Sequence, residues 1–252
     1  MNVTDYNIMK KMSLMKNICI VKTGSTFSAT RADFNDFEDW IISRLDLTQS
    51  SPFTVNVQAG ESLPDLRACD GIILTGSHSM VTDEDVWSQK TAQWLRDVVH
   101  QKIPLLAICY GHQLLAKSLG GVSDYHPNGM EIGTVEIKLT EDIQDDPLFC
   151  ELPDRLFAHT IHSQTVLELP CCAVKLAYNS HDENHAFRIG KCAWGVQFHP
   201  EFTRAIMNAY IEEVAKTEKF DVEQKQKLLE QLQETEESNA LLKKFESLVG
   251  QY

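Results

Sequence analysis

The sequence predicts an α/β protein: an open, doubly wound, mostly parallel sheet, with a β-rich second half and helices closing the chain. Three observations predict it. The apolar runs GIILTG (71–76) and IPLLAI (103–108) show no alternation and read as strands buried on both faces. Stretches with apolar residues at helical spacing lie between and after them. From TVEIKL (134–139) onward, short strand-like runs follow one another, separated by Pro, Asn, Asp and Gly, with no long helix between them.

In chain order, ICIVKTG (18–24) is the first strand. Residues 33–45 put Phe34, Phe37, Trp40, Ile41 and Leu45 on one helical face. FTVNV (53–57) alternates as a strand, and LPDLRACD connects it to GIILTG. A helix around 86–100 carries Val86, Trp94, Leu95, Val98 and Val99. IPLLAI leads into a second helix over 111–119, with Leu114, Leu115 and Leu119 at helical spacing and Gly120-Gly121 as its stop. TVEIKL, RLFAHT, AVKLAY, HAFRIG and CAWGVQF complete the sheet, and helices follow at about 202–216, 221–234 and 237–249. Parallel βαβ units followed by a meander are what an open α/β sheet requires.

A chain of 252 residues, 43% hydrophobic and 23% charged, is long enough for one large α/β domain. Its formal net charge of −13 argues against a nucleic-acid or anionic-lipid footprint. No apolar stretch approaches the ~20 residues of a membrane span. The seven cysteines (19, 69, 109, 150, 171, 172 and 192) are odd in number and contain no CxxC pair, the usage of a reducing, cytoplasmic compartment. Cys19 and Cys192 fall in predicted strands as core residues. Residues 1–15 read as a poorly ordered extension, with Met15 as the natural start, 16–216 as the domain and 217–252 as a helical tail.

The chemistry centres on AICYGHQ (107–113), which sets Cys109 at the corner between a buried strand and a helix. Such a corner is where α/β sheets bind ligands, and the free N–H groups of a helix start favour an ionised thiol. GVQFHPEF (195–202) supplies the rest. In an extended segment residues two apart share a face, so His199 and Glu201 point the same way, with Pro200 stiffening the link. A thiol nucleophile needs a base, and the base needs a partner that orients it. An α/β-hydrolase elbow fits less well, because Ala107 stands where that pattern has glycine.

On Cys-Tyr-Gly-His-Gln at 109–113, Phe-His-Pro-Glu at 198–201 and GIILTGSHSMV at 71–81, the chain resembles the class I (triad-type) glutamine amidotransferases, specifically their stand-alone, GMP-synthase-like domains. The resemblance spans about residues 15–215 and implies a flavodoxin-like sheet. It also implies that Cys109 attacks the glutamine side-chain amide, giving ammonia and a γ-glutamyl thioester that is hydrolysed to glutamate, with His199 and Glu201 completing the triad. The oxyanion donors it implies are the N–H of Tyr110 and that of Gly76 or Ser77. Relatives often carry two glycines where this chain has Gly76-Ser77. Gln113 corresponds to a residue that contacts the bound glutamine, and His112 beside it is expected to pack structurally.

His162, in AHTIHSQTV (158–166), is a candidate substrate-side residue, and Ser163-Gln164 there replaces the family's Gly-Asp. NSHDENHAF (179–187) reads as a solvated hairpin turn and not as a metal site, since it lacks HExxH or paired thiolates. No cofactor is implied, and neither a phosphate loop nor a dinucleotide fingerprint occurs. Any ammonia acceptor would sit on a separate synthetase chain. Two other readings stand beside glutamine hydrolysis. One is a γ-glutamyl peptidase acting on glutathione-like compounds. The other is a catalytically silent binding protein, against which the intact Cys109, His199 and Glu201 argue.

Overall fold

A computed structural model describes residues 15–218 and 220–252; the extension expected over 1–15 lies, up to residue 14, outside the described residues. Eleven strands occur among them: β1 Lys16–Lys22, β2 Ser50–Asn56, β3 Gly71–Leu74, β4 Leu105–Ile108, β5 Val122–Tyr125, β6 Glu131–Leu139, β7 Arg155–His162, β8 Gln164–Glu168, β9 Ala173–Tyr178, β10 Ala186–Ile189 and β11 Ala193–Val196. Nine of them form one sheet in the order β2-β1-β3-β4-β11-β10-β9-β6-β7, while β5 and β8 pair separately. The strands from β2 through β11 run parallel, and those from β10 to β7 are antiparallel. This is the expected architecture. Pro52 is tolerated in β2 because that strand is the sheet edge.

Among the described residues seven helices accompany the sheet: α1 Ser28–Phe34, α2 Phe37–Ile42, α3 Val86–His100, α4 Tyr110–Ser118, α5 Arg204–Thr217, α6 Val222–Glu230 and α7 Glu236–Leu248. Alternation along the parallel strands divides the core. Ile18, Ile20, Ile73, Leu106, Ile108, Trp194 and Val196 pack with Ile41 of α2 and with Leu241, Leu242 and Phe245 of α7. Cys19, Val21, Ile72, Leu74, Leu105 and Ala107 face the other way, onto Leu95 and Val98 of α3 and Leu114 and Leu115 of α4. Two helical layers on opposite faces make the sheet doubly wound.

The structure corrects three local expectations. The helix read over 33–45 is two helices, broken where Asn35 turns to φ 68° and Asp36 caps α2. Asp36 accepts from Phe37 N–H at 3.0 Å and Thr26 N–H at 2.8 Å and pairs with Lys22 at 2.8 Å. Three such partners offset the break, which spacing alone does not reveal. Cys192 lies in the turn before β11, although it is buried as expected. The helix expected over 221–234 ends at Glu230. In the C-terminal segment, α7 is tied to the sheet's edge: Glu246 accepts from Asp46 N–H and Ser50 Oγ, and its carbonyl accepts from Lys16 Nζ at 2.8 Å.

Candidate active site

Strand order brings the two halves of the site together. β4 and β11 are parallel neighbours in register Ala107↔Gly195 and Ile108↔Val196, although 88 residues separate them in sequence. Cys109 continues that ladder by one bond, its N–H donating to Val196 carbonyl at 2.8 Å. The chain beyond β11 therefore delivers Phe198 and His199 beside the cysteine. Cys109 itself is bent to φ 51°, ψ −102°, a conformation an L-residue adopts only under constraint, at a cost of ~1–3 kcal/mol. The bend lifts the side chain off the strand end and starts α4 directly after it. Gly111 is required here, since a Cβ would come within 3.0 Å of the Leu74 carbonyl and push the elbow off β3.

His199 is held on every side. Its N–H donates to His159 carbonyl at 2.8 Å, and its Nδ1 donates to Glu201 Oε1 at 2.7 Å. Phe202 stacks on the imidazole with centroids 4.1 Å apart, and Phe37 lies over it at 6.2 Å and 17°. The far nitrogen, Nε2, is buried without a hydrogen-bond partner, and Cys109 Sγ is turned to the Ile161 carbonyl at 3.7 Å, so no bond joins the pair in this conformation. Burial would lower the His199 pKa. The Glu201 charge and the Cys109 sulfur outweigh it and raise it to about 10. Its neighbour His159 is lowered to about 4 by burial and by His199, and stays neutral.

The loop after β3 closes the site. Gly76 lies against the imidazole: a Cβ there would meet His199 Cε1 at 2.9 Å and Cys109 Cβ at 3.6 Å. Its carbonyl is turned away, accepting from Thr23 Oγ1 at 3.0 Å and Thr75 Oγ1 at 2.9 Å. In a trans peptide the following N–H points opposite to that carbonyl, so the Ser77 N–H faces away from Thr23 and Thr75. The serine found in place of a second glycine is itself anchored, its Oγ donating to Thr23 carbonyl at 2.9 Å and accepting from Ser79 N–H at 3.0 Å. Tyr110 opens α4, where the first N–H groups have no intrahelical acceptor, and its hydroxyl is fixed 2.6 Å from Ser88 Oγ.

These groups border a cavity of about 260 Å³ whose wall includes Ser77, Cys109, Tyr110, Gln113, His162 and His199. The structure thus brings together every residue singled out from the sequence, with Gly76 against the imidazole and Glu201 behind it. Their availability differs. Gln113 Nε2 is committed to Gln164 carbonyl at 2.7 Å and Gln197 Oε1 at 3.0 Å. Both ring nitrogens of His162 are engaged, Nδ1 with Gln164 carbonyl at 2.9 Å and Nε2 with Glu131 at 3.1 Å, which leaves neither for a substrate. Gln164 braces the turn after the β3 loop, accepting from Val81 N–H and donating to Thr82 Oγ1. His112 packs against Phe187, and burial lowers it to about 3.

Sequence reasoning missed the outer wall, formed by Phe27, His78, Tyr210, Met130 and Val214. Only His78 stood in a quoted motif, and nothing local marked it. It packs tilted against Phe27, with centroids 4.3 Å apart, and its pKa is lowered by burial and by His199. No Lys or Arg lines the cavity among the described residues, and Glu218 is its one carboxylate. The segment 179–187 also departs from expectation. It is not a solvated turn: His185, Asp182 and Asn184 are buried, because Asn179 and Asp182 fold it inward. Asn179 donates to Glu131 Oε1 at 2.7 Å, and Asp182 Oδ1 accepts from Asn184 N–H at 2.8 Å. Burial pushes the Glu131 carboxyl up, but the imidazoles of His162 and His185 hold it well below the carboxylate range.

Comparison with known proteins agrees with this geometry. The chain is 30% identical over 152 residues to gamma-glutamyl peptidase 5 of Arabidopsis thaliana, covering 60% of this chain and 61% of that one. It is 34% identical over 137 residues to a glutamine-hydrolyzing GMP synthase of Thermotoga maritima, covering 54% of this chain and 25% of that one. It therefore spans less than two thirds of the length of these curated relatives. A crystal structure of a glutamine amidotransferase from Thermotoga maritima superposes with a TM-score of 0.72 at 26% identity, covering 94% of this chain and 97% of that one. The family model for glutamine amidotransferase class-I matches residues 33–218, well over half of the chain. On that match, the chain belongs to the class-I glutamine amidotransferase family.

Proposed function

We propose that the chain cleaves a γ-glutamyl amide bond through a thioester on Cys109. The observation that carries this reading is Cys109 at the end of β4 beside His199 beyond β11, with Glu201 on the far side of the imidazole. His199 holds the proton of the Cys109–His199 pair, and the sulfur attacks the side-chain carbonyl carbon. A C–S bond forms and the carbonyl electron pair moves to oxygen. The N–H groups of Tyr110 and Ser77 receive that oxyanion, donors already oriented before the reaction. The C–N bond then breaks, and the His199 proton leaves with the amine, which is ammonia when glutamine is the substrate. His199 next takes a proton from water, whose oxygen attacks the thioester. The C–S bond breaks and glutamate is released. Gln113, Gln164 and His162 act here as the frame of the cavity.

A second reading is favoured by the wall beyond the cysteine. Phe27, His78 and Tyr210 offer an amine larger than ammonia an apolar surface, as a γ-glutamyl peptide would need. Where ammonia is passed on, the acceptor would belong to a separate synthetase chain. No helix among the described residues is long and apolar enough to cross a membrane, and the proposed setting is the cytoplasm. The test is to offer the full chain glutamine, glutathione and other γ-glutamyl amides, reading ammonia and glutamate separately. Turnover abolished by Cys109→Ala supports the proposal. Turnover that survives the substitution, or its absence on every substrate, overturns it.

A further inference from the structure

We propose that Glu131, His162 and His185 form a site for a divalent transition-metal cation of the zinc type, set behind the wall of the Cys109 cavity. This does not rest on the hydrolytic reading. The three come from separated parts of the chain, the start of β6, the end of β7 and the loop before β10, yet their ligand atoms lie within 4.8 Å of one another. His162 Nε2 is 3.1 Å and His185 Nε2 3.0 Å from the same oxygen, Glu131 Oε2. Tetrahedral zinc with bonds of ~2.0–2.2 Å places neighbouring ligand atoms ~3.3 Å apart, so a small closing movement of the rings completes the set. Two imidazoles and a carboxylate are a donor set suited to zinc and related ions.

Hydrogen bonding argues for a cation at this point. A carbonyl only accepts, so the contact of His162 Nδ1 with Gln164 carbonyl puts the ring proton on Nδ1. Nε2, 3.1 Å from Glu131 Oε2, is then the ring atom placed to ligate a cation beside that carboxylate. His185 is fully buried at 0% exposure, and neither of its ring nitrogens has a hydrogen-bond partner despite the approach of Nε2 to Glu131. Around them, Asn179 Nδ2 holds Glu131 Oε1 at 2.7 Å and leaves Oε2 free to ligate. Asp182 Oδ2 lies 3.9 Å from His162 Nε2 and accepts from Thr165 Oγ1. Two buried carboxylates thus sit among histidines with no Lys or Arg bonded to either among the described residues. Hydrogen-bonded neighbours of this kind orient metal ligands. A cation there would lock residues 161–164, the segment against Cys109 Sγ, to the 179–185 loop.

The test uses the full chain, stripped with a chelator and titrated with cobalt(II) alone, then with zinc(II). One equivalent of cobalt should give visible d–d bands without the intense near-ultraviolet band of thiolate coordination, and zinc should displace it. Zinc at a hundredfold excess over its dissociation constant should raise the melting temperature by about 5–10 °C. Glu131→Gln and His185→Gln should abolish binding, and Asn179→Ala should weaken it about 10- to 100-fold. His181→Gln, on a neighbouring half-buried ring outside the set, should leave it unchanged. If the ligand variants do not fold, the wild-type stoichiometry and spectrum decide. Less than ~0.2 equivalents bound, a thiolate spectrum, or undiminished binding in a folded Glu131→Gln chain overturns the site.

Discussion

Gly76→Ala isolates the positioning of the imidazole from its chemistry. No residue of the proposed triad changes, and the backbone at Gly76 is not in the left-handed region, so alanine is conformationally allowed. The added Cβ would sit 2.9 Å from His199 Cε1, where ordinary contact begins at 3.4 Å, so the ring must yield by about 0.5 Å. It has little room to do so. Phe202 stacks at 4.1 Å, Phe37 packs on an adjoining flank at 6.2 Å, and Nδ1 is held 2.7 Å from Glu201. A misplacement of ~1 Å can cost ~100-fold in rate, so half of that predicts a loss of about 10- to 100-fold in kcat, with KM moving much less. Overpacking should also lower stability by ~1–3 kcal/mol. Steady-state kinetics on the best γ-glutamyl substrate, with the rate of Cys109 alkylation against pH, measures the effect. A kcat within twofold of the parent and an unchanged alkylation profile would refute the reasoning.

His199→Asn should lower turnover by several orders of magnitude and Glu201→Gln by less, since the second change only loosens the imidazole; equal losses in kcat would contradict the assigned order. His199 has a folded pKa of about 10 against 6.5 in the unfolded chain, so its contribution to stability is complete below about pH 6.5 and is lost as pH rises through about 10. Urea unfolding at pH 6 and pH 10 should show that loss in the parent and not in His199→Asn. Asp146 accepts from Arg188 Nε at 2.7 Å and from Trp194 Nε1 at 3.1 Å at 0% exposure. Asp146→Ala should therefore destabilise the protein by ~3 kcal/mol, seen as a lower melting temperature with the parent's KM. Gln164→Ala releases Val81 and Thr82 and should raise KM more than it lowers kcat, an order that a pure stability defect would not produce.

The sequence by itself determined the α/β class, the strand–Cys109–helix corner and the His199–Pro200–Glu201 unit. Each is written in a few adjacent residues, as an unalternated apolar run or a helical spacing. His199 and Glu201 do meet, but across a turn closed by Phe202 N–H on the His199 carbonyl at 3.3 Å and not by the two-residue alternation of an extended segment. What lies between them was not legible there. Only the tertiary structure decided that β11 is inserted beside β4, because parallel pairing is chosen by which buried strands fit, not by distance along the chain. The same holds for the aromatic clamp, since Phe37 and Phe202 read locally as ordinary core residues and meet His199 only when α2 and the chain after β11 converge. Asn35 and Asp36 broke a periodic helix because Lys22, Thr26 and the capping bond rewarded the break from outside it. Glu131 drew no attention, and 179–187 looked like a polar turn for the same reason. A polar segment reads as solvated until its partners are known, and here the hydrogen bonds that make its burial tolerable come from β6 and β8.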